Sequence, residues 1–541
     1  MSFKMLSGML LAATLGVACA NKSNFSAPPV ASPVSEAAWT RIGDGMDSFL
    51  GRLESLEVFA PGAAVIVTTA DGRRYIRVHG ELKVGAGHPA NEDSAFYIAS
   101  MTKAYVGLLA ARLDAEGVLP LDMTLADAWP GLRLPEGGRQ AGAITMRDLL
   151  HHNLPFEVEE ITFLEAYVRD VAPDEYPNLI AQYATPREDG YKYDNLGYNI
   201  YAAVLEHVTG KNWRDWLREG VFSPLKMSAT SGLTSDYGEN EIAWSHQRAG
   251  AFEDGWPREG GWYVVPHKTD GMMQSAGGLM TSAHDMALWM EAHLKGAGPA
   301  RSGLTPEMFA TAQEKGPFYT GDGHGFSCDG YTLGWNNCEL LITAEEDQSG
   351  ADMVIAPLLQ HGGGYIGVRS LMTVSPELGL GVAFLSNSDS MTGYMSGEIA
   401  KLAFELLEDV PGAAFRAERR IDTYADRNRR YLDFLQNRLT EMRSDEQWQG
   451  WRWRPAPDAL AGFAGDYNSE TAFLRDAAIY VGADGLRLKT GERVYRLSPA
   501  APDLFGAQSY AYDEIAAVRF VRNADGGVIG FEWDDHRYER R

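Results

Sequence analysis

Two periodicities of apolar residues divide the first part of the chain into helical and extended segments. Apolar side chains recur at helical spacing over residues 37–56 and again over 101–113, where Gly117 is typical of a C-terminal cap. Between these segments, residues 63–69 and 75–79 flank a glycine-containing turn. The pattern therefore predicts a helix, a β-hairpin and a second, buried helix.

The rest of the chain is predicted to pass from helices to strands. A mostly helical, loop-rich region runs to about residue 310, and strands are predicted at 331–335, 366–374 and 380–385. Beyond Pro455, short alternating stretches predict a small antiparallel sheet or barrel. The predicted organisation is a signal peptide at 1–20, a flexible lead-in at 21–36, a main domain at 37–412, a helical connector at 413–455 and a β-rich accessory domain at 456–541.

Residues 1–20 have the layout of a signal peptide. Lys4 precedes an apolar run, and the small residues Ala18 and Ala20 fit cleavage after Ala20. The stretch 15–19 is also similar to a bacterial lipoprotein box, which would leave a lipid anchor at Cys19. Simple export, to the periplasm or the medium, is the favoured prediction. No later apolar stretch has the length of a membrane span, so no transmembrane segment is predicted.

Composition and charge mainly exclude classes of partner. Apolar residues make up 45% and charged residues 22%, as in ordinary globular proteins. The net charge of −25, without a long Lys/Arg run, makes nucleic acid a poor partner. The sequence has no spacing typical of metal ligands, so neither a metal nor another cofactor is predicted. Whether Cys328 and Cys338 form a disulfide stays open.

Ser100 and Lys103 carry the first chemical signal. They lie three residues apart at the start of the predicted buried helix, so the amine can reach the hydroxyl. A serine hydroxyl becomes a good nucleophile only when a neighbouring base takes its proton. The N–H groups at a helix N-terminus also favour developing negative charge. Alone, the motif is more often a helix cap with a solvated lysine, so other elements must support it.

A second element contains Tyr193 and Asn195, which point the same way if their loop is extended. A phenol near a lysine can shuttle a proton, and a carboxamide can hold both the lysine and a substrate carbonyl. The alternative is that both side chains only form hydrogen bonds within the loop that precedes a helix at 198–208.

A third element, His361-Gly362-Gly363-Gly364, comes immediately before a predicted strand. Glycines there allow a substrate to lie against the backbone, so Gly363 is predicted to bind substrate. The N–H of Gly364 is predicted to form an oxyanion hole with the N–H of Ser100. His361 can donate a hydrogen bond or move protons near neutral pH. The alternative is a polar turn that enters a strand.

Together, these elements resemble the serine β-lactamase and penicillin-binding-protein superfamily. The resemblance is strongest to its class C-like branch, which also holds esterases and D-amino-acid-specific peptidases, and it spans roughly residues 61–407. The phrases that carry it follow in family order: 96–103, 113–121, MRDLLHH at 146–152, YDNLGY at 193–198, PLKM at 224–227, AGGL at 276–279, LGW at 333–335, and 376–387.

The resemblance implies a fold and a set of roles. The fold is α/β (α+β), an antiparallel sheet of β-lactamase/transpeptidase type with flanking terminal helices and an all-helical subdomain. A lipocalin-like β-barrel is expected near the C-terminus. Ser100 would be acylated, Lys103 and Tyr193 would serve as base and acid, and Asn195 would orient the reacting groups. His361 stands where other members have the lysine of Lys-Thr-Gly.

Two departures from the family pattern change the expected substrate. His152 is followed by Asn153-Leu154-Pro155 where the family usually has His-Thr-Ser-Gly. His361 replaces the cation that holds the carboxylate of β-lactam and peptide substrates. The second departure favours an esterase, a D-aminopeptidase or a DD-carboxypeptidase-like enzyme over a β-lactamase. The expected partner is a small-molecule or peptide acyl substrate.

Other readings of the sequence fit less well. An α/β-hydrolase needs a Gly-x-Ser-x-Gly elbow, which the sequence lacks. A metalloenzyme needs a cluster of His ligands at suitable spacing, which the sequence also lacks. Lys489-Thr490-Gly491 spells the family's third motif but falls within the C-terminal β-rich segment, where a turn explains it. The functional alternative is a non-catalytic binder of cell-wall peptides or of a partner protein.

Overall fold

The computed structural model describes residues 33–541 except 57–58, 249–251, 254–255, 258–260, 324–325, 344–352, 390, 483–484 and 509–514. The predicted signal peptide, Cys19 and most of the predicted lead-in lie outside the described residues. Within the described ranges, no helix is long and apolar enough to cross a membrane.

The first sixteen strands build the main sheet and several short ladders. Their bounds are β1 Gly62–Thr69, β2 Arg74–Gly80, β3 Phe96–Tyr97, β4 Phe156–Glu157, β5 Thr185–Pro186, β6 His246–Gln247, β7 Phe252–Glu253, β8 Trp256–Pro257, β9 Tyr263–Val264, β10 Met280–Thr281, β11 Gly321–Gly323, β12 Phe326–Tyr331, β13 Asn336–Thr343, β14 Met353–Tyr365, β15 Val368–Ser375 and β16 Leu380–Ser386. The main sheet is antiparallel, with the order β11-β12-β13-β14-β15-β16-β1-β2.

Helices cover both faces of this sheet and fill the region between β2 and β11. The α-helices are α1 Glu36–Glu54, α2 Thr102–Ala115, α3 Leu125–Ala128, α4 Met146–Leu150, α5 Glu159–Phe163, α6 Tyr176–Tyr183, α7 Leu196–Thr209, α8 Trp213–Leu217, α9 Ser223–Leu225, α10 Gln274–Gly277, α11 Ala283–Lys295, α12 Pro306–Gln313, α13 Thr392–Leu407, α14 Ala413–Ser444 and α15 Pro457–Leu460. Short 3₁₀ turns occur at Ala99–Met101, Ala141–Ala143, Thr234–Asp236, Glu446–Trp451 and Ala461–Phe463, and π-helical turns at Leu164–Val168 and Arg218–Phe222.

Strand β1 shows why the sheet is buried on both sides. All of its residues are buried. Because successive side chains point to opposite faces, Val65 and Val67 pack with the terminal helices α1 and α13, whereas Ala64 and Ile66 join the core that contains α2, α7 and α11. A strand covered on both faces is apolar throughout.

The C-terminal strands form a closed antiparallel barrel. They are β17 Gly465–Asn468, β18 Asp476–Gly482, β19 Gly485–Thr490, β20 Arg493–Ala501, β21 Leu504–Gln508, β22 Ile515–Arg522, β23 Val528–Trp533 and β24 His536–Arg540. Aromatic side chains such as Phe505, Phe520 and Phe531 pack in its core. The predicted combination of a mixed α/β domain and a C-terminal β-barrel is confirmed.

The turn between β19 and β20 docks on the helical region. The backbone N–H of Glu492 donates to the carbonyl oxygen of Val168 at 2.6 Å. The guanidinium of Arg493 lies 5.4 Å from the ring centre of Phe163 and 5.1 Å from that of Tyr167. The stretch Lys489-Thr490-Gly491 therefore ends β19 and turns against Val168.

Two local predictions are wrong. Residues 332–335 connect β12 to β13 instead of forming a strand, and Gly334 has φ +129°. The apolar pattern arises because this connection packs on α2: a Cβ on Gly334 would lie 2.4 Å from the carbonyl oxygen of Lys103. The segment His361–Gly364 lies within β14, paired with β15, and not before a strand.

The two cysteines outside the leader, whose pairing the sequence leaves open, form a disulfide. Cys328 on β12 and Cys338 on β13 occupy paired positions in the ladder, and their sulfur atoms are bonded. Both side chains are buried in the core shared with α1 and α13. The disulfide therefore joins two neighbouring strands near the edge of the sheet.

Candidate active site

Ser100 lies in a tight turn between a strand and a helix. Strand β3 ends at Tyr97, the 3₁₀ turn Ala99–Met101 follows, and α2 begins at Thr102. Ala99 has φ +44°, a left-handed conformation that is strained for a residue with a Cβ. The turn places Ser100 two residues before the first residue of α2.

Lys103 lies one turn along the same helix and is completely buried. Helix α2 is buried on nearly all sides, which explains why its sequence lacks a polar face. The Lys103 Nζ lies 3.1 Å from Ser100 Oγ, 2.9 Å from Asn195 Oδ1 and 2.7 Å from the carbonyl oxygen of Ala276. The amine thus has three oxygen neighbours inside the protein.

The surroundings of Lys103 favour its neutral form. Burial lowers the pKa of Lys103 from 10.5 to about 7, and the negative charge of Asp194 opposes this shift. A neutral amine has two N–H donors and one lone pair. Because Asn195 Oδ1 and the Ala276 carbonyl only accept hydrogen bonds, the two donors go to them, and the lone pair is left for the hydroxyl of Ser100.

Tyr193 and Asn195 precede α7 and reach the same point. Asn195 occupies the N-cap position, but its side chain does not cap the helix and turns to Lys103 instead. The Lys103 Nζ lies 4.9 Å from the ring centre of Tyr193. Tyr193 borders the open cavity, and 42% of the residue as a whole is exposed. Burial of the phenol group raises the pKa of Tyr193, and a hydrogen bond with Ser100 partly offsets this rise.

The pKa shifts of Lys103 and Tyr193 suit the two residues to opposite roles, Lys103 as a base and Tyr193 as an acid. A lysine pKa near 7 and a tyrosine pKa above 10 leave a neutral amine beside a protonated phenol over a wide range above pH 7. Such a pair can accept the proton of a serine hydroxyl and deliver a proton to a leaving group.

The two glycines at the end of β14 have different surroundings. A Cβ on Gly363 would lie 2.1 Å from the carbonyl oxygen of Ile98 and 2.3 Å from Ser370 Oγ, so only glycine lets β14 pass this close to the turn before Ser100. Gly364 is exposed and lines the cavity together with Ser100. The substrate-binding role of Gly363 and the oxyanion role of Gly364 stay predictions, and the geometry offers Gly364 to a ligand more directly.

His361 lies behind the cavity wall. Its side chain is buried, with Nε2 2.9 Å from the hydroxyl of Tyr331 and Nδ1 2.7 Å from the carbonyl oxygen of Gly362. Its ring centre is 6.2 Å from that of Tyr193. The structure thus brings His361 into the same cluster as Ser100, Lys103 and Tyr193, although its ring nitrogens face other partners. The substrate-orienting role of His361 stays a prediction.

A buried layer behind Lys103 is absent from the set of residues predicted from the sequence. Asn199 Oδ1 accepts hydrogen bonds from the N–H of Ala276 at 2.9 Å and from the hydroxyl of Ser275 at 3.2 Å. Its Nδ2 donates to Glu165 Oε2 at 2.6 Å, and Glu165 also bonds the hydroxyl of Tyr176. Asn199 follows Asn195 by one helical turn, and this i, i+4 spacing is the sequence signal that could have found it.

Glu165 is an ionisable group within this layer. Burial raises the pKa of Glu165 to about 8, and hydrogen bonds from Tyr176 and Asn199 lower it. Its backbone carbonyl accepts the N–H of Met273 at 2.6 Å. Met273 and Gln274 both have positive φ, so Glu165 helps to hold the bent segment that carries the Ala276 carbonyl to Lys103.

The candidate site opens into a cavity of about 860 Å³. Its lining includes Ser100, Tyr193, Asn195 and Gly364, together with residues from the segments 157–167 and 365–369. Among the described residues, no group of three or more His, Cys, Asp or Glu side chains is arranged to hold a metal ion. The site consists of a serine, a phenol and a carboxamide that face this space, with the buried amine of Lys103 directly behind the serine. The space is large enough for a small molecule or a peptide segment.

Comparisons with known proteins identify the family of the chain. The Beta-lactamase family model matches residues 52–404. Penicillin-binding protein 4 of Amycolatopsis lactamdurans is 26% identical over 363 residues, which cover 65% of this chain and 87% of the relative.

Two solved structures share the fold. The octameric penicillin-binding protein homologue from Pyrococcus abyssi has a TM-score of 0.53 and 18% identity, with 92% of this chain and 99% of that chain covered. The D-amino acid amidase from Ochrobactrum anthropi SV3, solved with L-phenylalanine amide, also has a TM-score of 0.53, with 19% identity and with 69% of this chain and 99% of that chain covered. The family model, which spans more than half of the sequence, and the shared fold show that the chain belongs to the Beta-lactamase family of serine hydrolases.

Proposed function

We propose that the protein hydrolyses an ester or amide through an acyl-enzyme on Ser100. The observation that carries this proposal is the position of Lys103 Nζ, 3.1 Å from Ser100 Oγ and held on its other side by two acceptors. A buried amine with a pKa near 7 is matched to general-base catalysis at neutral pH.

In the acylation step, Lys103 takes the hydroxyl proton while Ser100 Oγ forms a bond to the substrate carbonyl carbon. The oxygen of that carbonyl becomes negative and is stabilised by the N–H groups of Ser100 and Gly364. Tyr193 gives its proton to the departing alcohol or amine as the old bond breaks, and it regains a proton from Lys103. A water molecule then attacks the ester on Ser100 by the reverse sequence, which releases the acid and restores the hydroxyl.

The proposed substrate class is an ester, a D-amino-acid amide or a D-alanyl peptide. The D-amino acid amidase with the same fold supports amide substrates. The closed surroundings of His361 support the lower rank given to β-lactams, since no lysine stands at that position.

Covalent labelling tests the proposal. A fluorophosphonate probe should add one label per chain at Ser100, and Ser100→Ala should remove the label. Ser282→Ala is a matched control: the Ser282 side chain caps α11, so this variant should keep the label at Ser100. Folded protein that takes no label and hydrolyses neither nitrophenyl esters, nitrocefin nor D-alanyl amides would support the alternative, a non-catalytic binder.

We also propose that the chain is exported. The leader pattern of residues 1–20 supports this, as does the disulfide, because disulfides persist in oxidising compartments. Mass spectrometry of the mature N-terminus tests it: a chain that begins at Asn21 indicates simple cleavage, a lipid-modified Cys19 indicates the anchored alternative, and an intact leader contradicts the proposal.

A further inference from the structure

Glu165 supports the segment 273–276 at two points. Its backbone carbonyl oxygen accepts a hydrogen bond from the N–H of Met273 at 2.6 Å. Its side chain reaches the other end of the segment through Asn199, which donates to Glu165 Oε2 at 2.6 Å and accepts from the N–H of Ala276 at 2.9 Å. One residue therefore holds both ends of the segment that carries the Ala276 carbonyl.

The segment needs this support because its backbone is strained. Met273 has φ +62° and Gln274 has φ +37°, left-handed conformations that residues with a Cβ seldom adopt. Strained backbone of this kind persists only where the surrounding contacts fix it. The Ala276 carbonyl lies just beyond the bend and accepts from Lys103 Nζ at 2.7 Å. Contacts that fix the bend therefore also fix the acceptor of the amine.

The orientation of the Asn199 carboxamide is determined from both sides. The N–H of Ala276 can only donate, so it faces Asn199 Oδ1, and Asn199 Nδ2 is left to face Glu165. Asn199 is buried, so loss of the acceptor at Glu165 Oε2 would leave a buried donor unsatisfied and would allow the carboxamide to turn. The contact with Glu165 thus keeps Asn199 Oδ1 directed at Ala276.

The two oxygens of Glu165 contact neutral groups, the hydroxyl of Tyr176 and the carboxamide of Asn199. Burial raises the pKa of Glu165 to about 8, so the neutral acid predominates at pH 7. A glutamine has a carbonyl oxygen for Asn199 and an amide group for Tyr176, so it can occupy the same place. What the contact with Asn199 requires is an acceptor, and not a negative charge.

The turn that carries Glu165 also forms part of the cavity wall. Glu165 lies on the π-helical turn Leu164–Val168, and turns of this kind occur frequently at functional sites. The next two residues, Ala166 and Tyr167, line the cavity. One short turn therefore shapes the wall of the cavity and supports the acceptor of Lys103.

We infer that Glu165 is a positioning residue for the acylation step, and that it acts on Lys103 through Asn199 and the Ala276 carbonyl. A carbonyl that is fixed in place holds one N–H of the amine, so the lone pair stays directed at the hydroxyl of Ser100. Glu165 itself is buried and transfers no proton. The inference rests on the proposed function, since it takes Lys103 as the base.

Removal of the acceptor tests this role. Glu165→Met should lower kcat/KM for a neutral nitrophenyl ester roughly tenfold or more, because the amine loses its orientation. The acidic limb of the pH profile should move to lower pH, because an accepting carbonyl stabilises the ammonium form of Lys103. Glu165→Gln keeps the acceptor and should stay within about threefold of the parent chain, with no shift of the limb.

Glu291→Met is the matched control. Glu291 is also a buried glutamate, but it bonds Arg74 and Thr68 at the β1–β2 hairpin. This variant should keep the acidic limb of the parent chain even if it is less stable. An unchanged rate and limb in Glu165→Met, or equal losses in Glu165→Met and Glu165→Gln, would overturn the inference.

A double-mutant cycle tests whether Glu165 acts through Asn199. If the two residues share one path, adding Glu165→Met to the Asn199→Leu protein should cost less than about threefold in kcat/KM. The double variant removes both partners of a buried hydrogen bond, which disturbs the fold less than the loss of one, so it can be measured even if Glu165→Met alone does not fold. Losses that multiply would contradict the path through Asn199.

Crystal structures provide a readout that does not depend on activity. The Ala276 carbonyl should lie beyond hydrogen-bond distance of Lys103 Nζ in Glu165→Met, or in the double variant, and should keep its place in Glu165→Gln. A carbonyl that stays beside Lys103 in all of these variants overturns the inference and leaves the proposed function intact. Absence of both hydrolysis and Ser100 labelling in the parent chain contradicts the proposed function, while these structures still decide whether Glu165 positions the acceptor.

Discussion

Asn199 Oδ1 lies 2.9 Å from the backbone nitrogen of Ala276, the residue whose carbonyl oxygen accepts a hydrogen bond from Lys103. The two interactions act on opposite sides of one residue, so the carboxamide of Asn199 fixes the acceptor that orients the amine. Asn199 is buried, and its amide group is in turn held by Glu165.

Asn199→Leu should therefore lower kcat/KM by at least tenfold and shift the acidic limb of its pH profile. The substitution leaves the N–H of Ala276 without a buried acceptor, which allows its carbonyl to move away from Lys103. The measurement is kcat/KM for a neutral ester between pH 5 and 9. Asn387→Leu is the control, because Asn387 is equally buried and bonds the backbone of Gly62 and Glu81. Equal loss of stability in both variants, without a change in the pH limb in Asn199→Leu, would assign Asn199 a purely structural role.

The rate of acylation should depend on the ionisation of Lys103. Its protonated form cannot accept the Ser100 proton, so kcat/KM should fall about tenfold per pH unit below a pKa near 7 and level off above it. Stopped-flow acylation with a nitrophenyl ester gives this profile directly. Lys103→Ala should lose most of the rate and show no limb near pH 7. A parent enzyme with a flat profile from pH 5 to 9 would contradict the assignment of Lys103 as base.

Lys103→Met should stabilise the fold relative to the parent chain near pH 7, while it abolishes turnover. The folded pKa of Lys103 lies below its ordinary value of 10.5, so the unfolded chain binds more protons between about pH 7 and 10.5. The free energy of unfolding contributed by Lys103 therefore rises with pH through this window and is least favourable below pH 7. Urea denaturation at pH 6, 8 and 10 should show that the advantage of the methionine variant shrinks as the pH rises. A difference in the free energy of unfolding that does not change with pH would contradict this prediction.

Tyr193→Phe should affect amides more than activated esters. A nitrophenolate departs without a proton, whereas an amine must be protonated as it leaves, so loss of the phenol should cost roughly 10² to 10⁴-fold for an amide and much less for the nitrophenyl ester. Steady-state rates on the two substrates give the ratio. Tyr191→Phe is the control, because its ring stacks on Tyr319 beside the site and has no contact with Lys103 in the described structure. Equal losses on both substrates would argue against proton donation by Tyr193.

Much of the fold follows from local patterns, and the errors have identifiable physical causes. The helix α1 and the hairpin β1–β2 end within a few residues of their predicted bounds, because their periodicity and turn are local features. The connection at 332–335 was predicted as a strand because its residues are apolar, but they are apolar through burial against α2. A single sequence does not distinguish these two origins of an apolar run.

The candidate site also has one part that could be predicted from the sequence and another that could not. Ser100 and Lys103 are close in sequence, so their contact could be predicted from helix geometry. The acceptor at Ala276 and the acid at Glu165 come from distant segments. Only the packing of α7 against the bent segment at 273–276 brings Ala276 to Lys103 and Glu165 to Asn199.

The docking of the β19–β20 turn on Val168 has a practical consequence for anyone who wishes to shorten the protein. The segment that ends at Val168 supplies Phe163, Ala166 and Tyr167 to the cavity wall, and Arg493 covers the faces of both aromatic rings. Truncation before Gly465 would uncover these rings to water and leave the Val168 carbonyl without the N–H of Glu492. The barrel is therefore a poor choice for trimming or for fusion at this turn, and expression of the first 455 residues alone would yield a protein with an altered substrate entrance.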